Sequence, residues 1–308
     1  MTNRARKGVT LTALTNIART AIRIVVGAMF CLSAKAKIAD FDHLELYIFS
    51  FGVVSLGVSF WLARLLVAFE AVLGLALIAN IRHRAITWTA LGSVAAFSAF
   101  LFYAIASGRT DNCHCMGELV EMTPWQSLAK NALLAAALLF ILPQRGSVGF
   151  RKWVWAGVSV ALTLAVFIIS PPDNINPYRT YDSVLNRELY DTLPHSSARR
   201  VVCFYSTSCK YCELTSSKIA SIARRHNLQE SVEVWFAGVG EQTDSLVGAF
   251  YERTLSPLFS YRTMDFRALL HVTNGELPVV LLADGDSVYT EFNYRTIDER
   301  AIVDFLSE

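Results

Sequence analysis

The pattern of apolar and polar positions changes character near residue 172. Before that point, apolar runs cover residues 17–35, 60–81, 86–107, 125–142 and 153–170. Each approaches the roughly 20 residues a helix needs to cross a bilayer. Residues 49–59 are also apolar but short, and they contain Gly52 and Gly57. They read as an interfacial helical lead-in that merges with the second span. Pro171-Pro172-Asp173 stops the fifth helix, and Asn174, Asn176 and Pro177 continue a polar linker.

Beyond the linker the periods are those of a soluble α/β fold. Residues 200–205 form a short buried strand, and residues 213–226 have helical spacing. A strand at 232–239, a helix at 241–253, a short strand at 258–262 and a helix at 265–271 follow. Leu277-Pro278 opens a strand at 279–283. Asp284-Gly285-Asp286 turns it into a hairpin with 287–292, and a helix at 297–306 closes the chain. The pattern predicts a membrane α-helical bundle followed by an α/β domain. Residues 1–150 form a four-helix transmembrane domain, 151–177 a fifth transmembrane helix with its linker, and 178–308 the α/β domain.

Composition agrees with this division. Hydrophobic residues make up 53% of the 308 and mean hydropathy is +0.38, yet 18% are charged. Net charge is only +2, with no basic tract beyond the first few residues, so nucleic acid binding has no electrostatic support. Arg4, Arg6 and Lys7 before a long apolar run resemble a signal peptide, but four further spans follow and an uncleaved first helix fits better. These residues, the Arg82–Arg84 segment, and Arg145, Arg151 and Lys152 all fall on one side of a five-span topology. The positive-inside rule makes that side cytoplasmic. The expected location is a bacterial inner membrane, multi-pass, with a cytoplasmic N-terminus and the α/β domain outside.

Six cysteines occur, at positions 31, 113, 115, 203, 209 and 212. Four of them form two close pairs, C-x-C and C-x-x-C, which suit redox exchange or metal binding better than a structural scaffold. The five-span topology puts both pairs in one compartment. Cys209 is predicted at the first turn of a helix, where backbone N–H groups and the dipole favour a thiolate, and Lys210 adds positive charge. Cys209 then attacks, and Cys212, more buried, resolves the mixed disulfide. A structural disulfide or half of a zinc site is the plainer reading, but no second C-x-x-C or His pair lies nearby.

With its strand, C-x-x-C, helix, and later Leu277-Pro278, the segment 178–308 resembles the thioredoxin-like superfamily. The resemblance implies that Pro278 is cis and packs against the Cys209–Cys212 pair. It also marks departures. Ser208 stands where thioredoxin has Trp, Lys210-Tyr211 where it has Gly-Pro, and Cys203 where it has a buried Asp that aids proton transfer. Cys203 reads as a packed core thiol. These departures leave the direction of catalysis open.

Glu70 lies near the middle of the second span, where a carboxylate is costly unless it is paired or functional. It reads equally as a functional group or as an interhelical hydrogen bond, with Lys35, Lys37 and Asn131 as partners to choose among. Cys31, in the outer half of the first span, reads as packing.

The loop Asp111-Asn112-Cys113-His114-Cys115-Met116-Gly117-Glu118 is followed by Met122-Thr123-Pro124-Trp125 and Asn131. Together with Ser33-Ala34-Lys35 and Glu70, it resembles the methylamine-utilisation MauE family and its DoxX-like relatives over about residues 15–143. Met116 departs from the usual Phe. That family is implicated in maturing disulfide-rich methylamine dehydrogenase, so the resemblance implies a role in protein disulfide formation or maturation. The four-helix architecture is also similar to vitamin K epoxide reductase, which makes a quinone the candidate cofactor, although no residue identifies its site. A C-x-C pair can close a strained, exchangeable ring. The reading is a membrane-bound thiol–disulfide oxidoreductase. Electrons pass between Cys209/Cys212 and Cys113/Cys115, with extracytoplasmic thiol or disulfide proteins and membrane lipid as partners. The alternative is a metal-handling or maturation factor that holds a soft ion such as Cu(I) at Cys113, His114 and Cys115.

Overall fold

A computed structural model describes residues 2–108, 122–144, 152–173, 183–194, 197–238, 240–257 and 259–307. The chain divides into two compact units. The first comprises residues 1–44 and 61–171, the second 45–60 and 172–308.

The first unit is helical. It contains α1 (Thr2–Ala39), most of α3 (Leu56–Ile78), α4 (His83–Ala106), α5 (Pro124–Ile141) and α6 (Lys152–Ile169). Residues 13–39 of α1, together with α3 and α4, are long and apolar enough to cross a membrane. Helices α5 and α6, of 18 residues each, reach about 27 Å at a 1.5 Å rise. Leu65, Leu133, Leu139 and Ile168 stand exposed on the helix surfaces, a distribution suited to lipid rather than water. Thr123 caps α5 in a reciprocal box with Gln126, and Pro124 occupies the first turn, where its missing N–H costs nothing.

Two devices hold the bundle without relying on hydrophobic burial, which has no driving force among lipid tails. Gly27 and Gly74 bring α1 and α3 into close contact: a Cβ added at Gly74 meets the Cys31 Sγ at 2.6 Å and the Gly27 carbonyl at 2.7 Å. Buried cations answer helix-end carbonyls. Arg23 donates to Leu77 O at 2.9 Å, and Arg64 donates to Ser170 O at 2.9 Å and Pro171 O at 3.1 Å beyond α6.

The second unit is an α/β domain on a five-stranded sheet of order β3-β2-β1-β4-β5. Its strands are β1 (Arg199–Tyr205), β2 (Val232–Gly238), β3 (Ser260–Asp265), β4 (Val279–Asp284) and β5 (Ser287–Phe292). β1, β2 and β3 run parallel, while β4 is antiparallel to both β1 and β5. Its helices are α7 (Arg187–Tyr190), α8 (Lys210–His226), α9 (Thr243–Arg253), α10 (Phe266–Val272) and α11 (Glu299–Ser307). The central strands β1, β2 and β4 are nearly all buried, as expected where helices cover both faces. This is the thioredoxin-like order that the sequence predicts.

The predicted lead-in at 49–59 takes a different form. Helix α2 (Phe41–Ser50) ends at Gly52, whose φ is +73°, and α3 begins at Leu56. Phe49, Leu56 and Phe60 join the core of the α/β unit with Ile219, Ala223 and Ile302. Arg225 on α8 donates to Val54 O at 2.7 Å and pairs with Glu299 at 2.7 Å, and Glu299 also accepts the Leu56 N–H at 3.1 Å. Buried apolar anchors and a satisfied backbone give this short stretch a fixed place in the second unit.

Candidate functional site

The C-x-x-C site grows out of the β1–α8 junction. β1 is apolar and buried from Val201 through Tyr205, and then Ser206, Thr207 and Ser208 release the chain to the surface. The Ser206 carbonyl accepts the Cys209 N–H at 3.2 Å, and Arg253 donates to Thr207 O at 3.1 Å and to Glu213 at 2.7 Å. These bonds fix the turn from both sides. Cys209 is the N-cap of α8, with φ −93° and ψ 114°, and its Sγ accepts the Cys212 N–H at 3.2 Å.

The two sulfurs have different surroundings. Cys209 is half-buried, and Cys212 is fully buried one turn on. A hydrogen bond from the Cys212 thiol, aided by the backbone N–H groups of Cys212 and Tyr211, lowers the Cys209 pKa to about 7 against the cost of burial. Burial pushes the Cys212 thiol far up, and its bond to Cys209 adds to the effect. The pair thus offers one nucleophilic thiolate near neutral pH and one protonated thiol behind it.

Pro278 follows a cis peptide bond at Leu277–Pro278. In the antiparallel register Phe204 faces Val279, so Pro278 lies at the sheet end where β1 gives way to the Cys209 turn. Leu277 and Cys209 both pack on the same core cluster. Cys203 is wholly buried between Val234 on β2 and Val280 on β4, and burial pushes its thiol up to about 12. It offers no acid or base at neutral pH where thioredoxin has a carboxylate.

Sequence reasoning passed over a second group in this unit. Lys218 in the middle of α8 is 1% exposed, donates to Tyr294 O at 2.8 Å, and lies 4.0 Å from the Asp173 carboxylate. Arg295 approaches the same carboxylate at 3.5 Å. Tyr294 stacks on Tyr211 of the C-x-x-C with ring centroids 4.4 Å apart. A lysine in an amphipathic helix reads as solvated, so only the tertiary packing identifies this one.

In the first unit, Glu70 takes Lys37 as its partner. The Lys37 Nζ lies 2.8 Å from both carboxylate oxygens and 2.7 Å from Ser33 Oγ, which in turn donates to Glu70 at 3.1 Å. Lys35, one of the other two predicted partners, is exposed, and Asn131 donates to Ser98 at 3.1 Å instead. Cys31 packs against Gly74, as its position in the span suggests. Cys113, His114 and Cys115 lie outside the described residues.

Residues 15–144 match the family model described as methylamine utilisation protein MauE. Protein TlpB of Flavobacterium psychrophilum is 31% identical over 164 residues, which cover 49% of this chain and 44% of TlpB. The chain thus spans less than half the length of that relative. The match covers α1, α3, α4 and α5 together with the Ser33–Lys37–Glu70 group and the C-x-C loop. Residues 15–144 are thus similar to MauE, and a thioredoxin-like α/β domain follows them.

Proposed function

We propose that this protein is a membrane-bound thiol–disulfide oxidoreductase in which Cys209 exchanges disulfides with Cys113/Cys115 and with extracytoplasmic protein thiols. The observation that carries the reading is the asymmetry of the C-x-x-C: a half-buried thiolate at the start of α8 backed by a buried, protonated thiol. In each cycle the Cys209 thiolate attacks one sulfur of a disulfide. The S–S bond breaks and the displaced sulfur leaves as a thiolate. Cys212 then gives up its proton and attacks Cys209 Sγ, which releases the second thiolate and closes the Cys209–Cys212 disulfide. The reverse sequence oxidises a partner dithiol. Pro278, at the same sheet end, is the backbone wall against which an extended partner strand docks.

The basic loops support an orientation in a bacterial inner membrane with a cytoplasmic N-terminus, and an odd number of spans then brings both cysteine pairs to the outer side. The match to MauE supports a maturation role for disulfide-containing proteins. A Cys212→Ser variant removes the resolving sulfur, so Cys209 is expected to accumulate as a mixed disulfide. Mass spectrometry of thiol-trapped membranes should find it joined to Cys113 or Cys115. If Cys209 stays free or pairs only with small thiols, under oxidising and reducing growth alike, the relay is wrong.

A further inference from the structure

The first turn of α8 both carries Cys209 and stabilises it, because the Cys209 Sγ takes N–H groups of Tyr211 and Cys212 that have no partner within the helix. Helix ends fray, and Tyr211 is 46% exposed, so its own burial does little to hold that turn in place. A tie from outside the helix does. The Tyr211 ring stacks on Tyr294, with centroids 4.4 Å apart and planes inclined by 26°. Tyr294 belongs to the turn between β5 and α11, and that turn is fastened at several points. Phe292 before it and Ile297 after it are buried in the core cluster that also contains Cys212. The Asn293 side chain accepts the N–H groups of Arg295 at 2.9 Å and Thr296 at 3.0 Å, and Thr296 Oγ1 accepts the Asn293 N–H at 2.9 Å. The buried Lys218 donates to the Tyr294 carbonyl at 2.8 Å. Lys218 stands two turns beyond Tyr211 on the same helix, about 10.5 Å along its axis. One turn therefore grips α8 twice, at its start through the Tyr211 ring and in its middle through the Lys218 ammonium. The Arg295 guanidinium, 4.5 Å from the Tyr294 ring centroid, adds a cation–π contact.

We propose that Tyr294 is a positioning residue of the C-x-x-C, acting through the Tyr211 ring to hold the first turn of α8 with its N–H groups aimed at the Cys209 sulfur. The proposal deepens the thiol-exchange reading given above and takes its functional meaning from it. A turn held in this way keeps the attacking sulfur as a thiolate and keeps Cys212 behind it for the resolving step. Nearby charges do less for the thiolate than these bonds. Glu213 in the same turn opposes it and pairs with Arg253 at 2.7 Å, Lys210 is exposed, and Lys218 and Arg295 both face the Asp173 carboxylate.

The test uses the full-length reduced protein in detergent and follows iodoacetamide alkylation of Cys209 against pH by peptide mass spectrometry. Tyr294→Ala is expected to raise the midpoint from about 7 toward the ordinary 9.0, by about half a pH unit or more, and to slow alkylation at pH 7 at least about twofold. Tyr294→Phe keeps the ring and is expected to stay within about 0.2 pH unit of the wild type. The same holds for Tyr289→Ala, which removes an exposed ring toward the hairpin end of the sheet. Tyr211→Ala is expected to match Tyr294→Ala, and the double variant to go no further, because both changes cut one contact. A midpoint unmoved by Tyr294→Ala overturns the proposal. So do shifts that add in the double variant, a Tyr294→Phe protein that behaves like Tyr294→Ala, and an equal shift in Tyr289→Ala. If Tyr294→Ala does not fold, Tyr294→Leu, which keeps apolar bulk without an aromatic face, takes its place with the same expectations. A moved midpoint without the Cys209 mixed disulfide in Cys212→Ser defeats the relay alone, and the mixed disulfide with an unmoved midpoint defeats the positioning role alone.

Discussion

The Cys209 thiol, with its pKa lowered to about 7, sets the reactivity of the C-x-x-C. Alkylation of the reduced protein by iodoacetamide is expected to rise with pH about a midpoint near 7 at Cys209 and to spare Cys212, as peptide mass spectrometry after timed quenching will show. The linkage follows from the same shifts. An unfolded cysteine ionises near its ordinary value of 9.0, so the Cys209 contribution to stability of the reduced fold is complete above that pH and is lost as pH falls through about 7. The raised Cys212 pKa acts the other way. Its contribution holds below 9.0 and is lost as pH rises beyond it. At this scale the sequence was informative about the cysteines, because spacing and a preceding strand define them. It did not single out Lys37 for Glu70, since Lys35 and Lys37 differ only in which side of α1 they occupy. The close approach of α1 to α3 at Gly27 and Gly74 decides that choice. Lys218 was equally silent, because one charge in a helix says nothing of what lies across from it.

Between elements, contacts of a few ångströms carry testable weight. Gly74→Ala forces a methyl group against the Cys31 Sγ and the Gly27 carbonyl, and overpacking of this kind costs about 1–3 kcal/mol. Its thermal midpoint in detergent is expected to fall, whereas Gly92→Ala, with no atom within 4 Å of the added carbon, should leave it unchanged. Glu299 at the start of α11 joins α8 to the entry of α3 by accepting from Arg225 and the Leu56 N–H. Glu299→Ala leaves a mostly buried guanidinium and a backbone donor without their acceptor, a loss of about 2–3 kcal/mol that chemical denaturation will register. The strand order and the C-x-x-C helix were legible because period, turn residues and X-Pro agreed with one another. Two elements were not. The four-residue α7 is too short to show a period, and the α2–α3 break depends on Gly52 at positive φ and on anchors supplied from the far end of the chain.

For the molecule as a whole, the apolar runs revealed a membrane half and a soluble half, and the structure adds that the α/β unit draws residues 45–60 from within the membrane half of the sequence. The hydropathy pattern could not show this, because Phe49, Leu56 and Phe60 look the same whether they face lipid or a protein core. A peptide spanning 172–308 is accordingly expected to be less soluble and to melt lower than the same peptide mixed with a synthetic 45–60 segment, as light scattering and circular dichroism will record. There is also a consequence for biogenesis. Ribosomes deliver 45–60 more than a hundred residues ahead of the strands that need it, so this early piece must wait, half-dressed, while the rest of α3 and three further hydrophobic helices are threaded into the lipid. The α/β unit then completes itself only on a chain whose anchor is already in place, which keeps its Cys209–Cys212 pair from maturing on a truncated or untethered product.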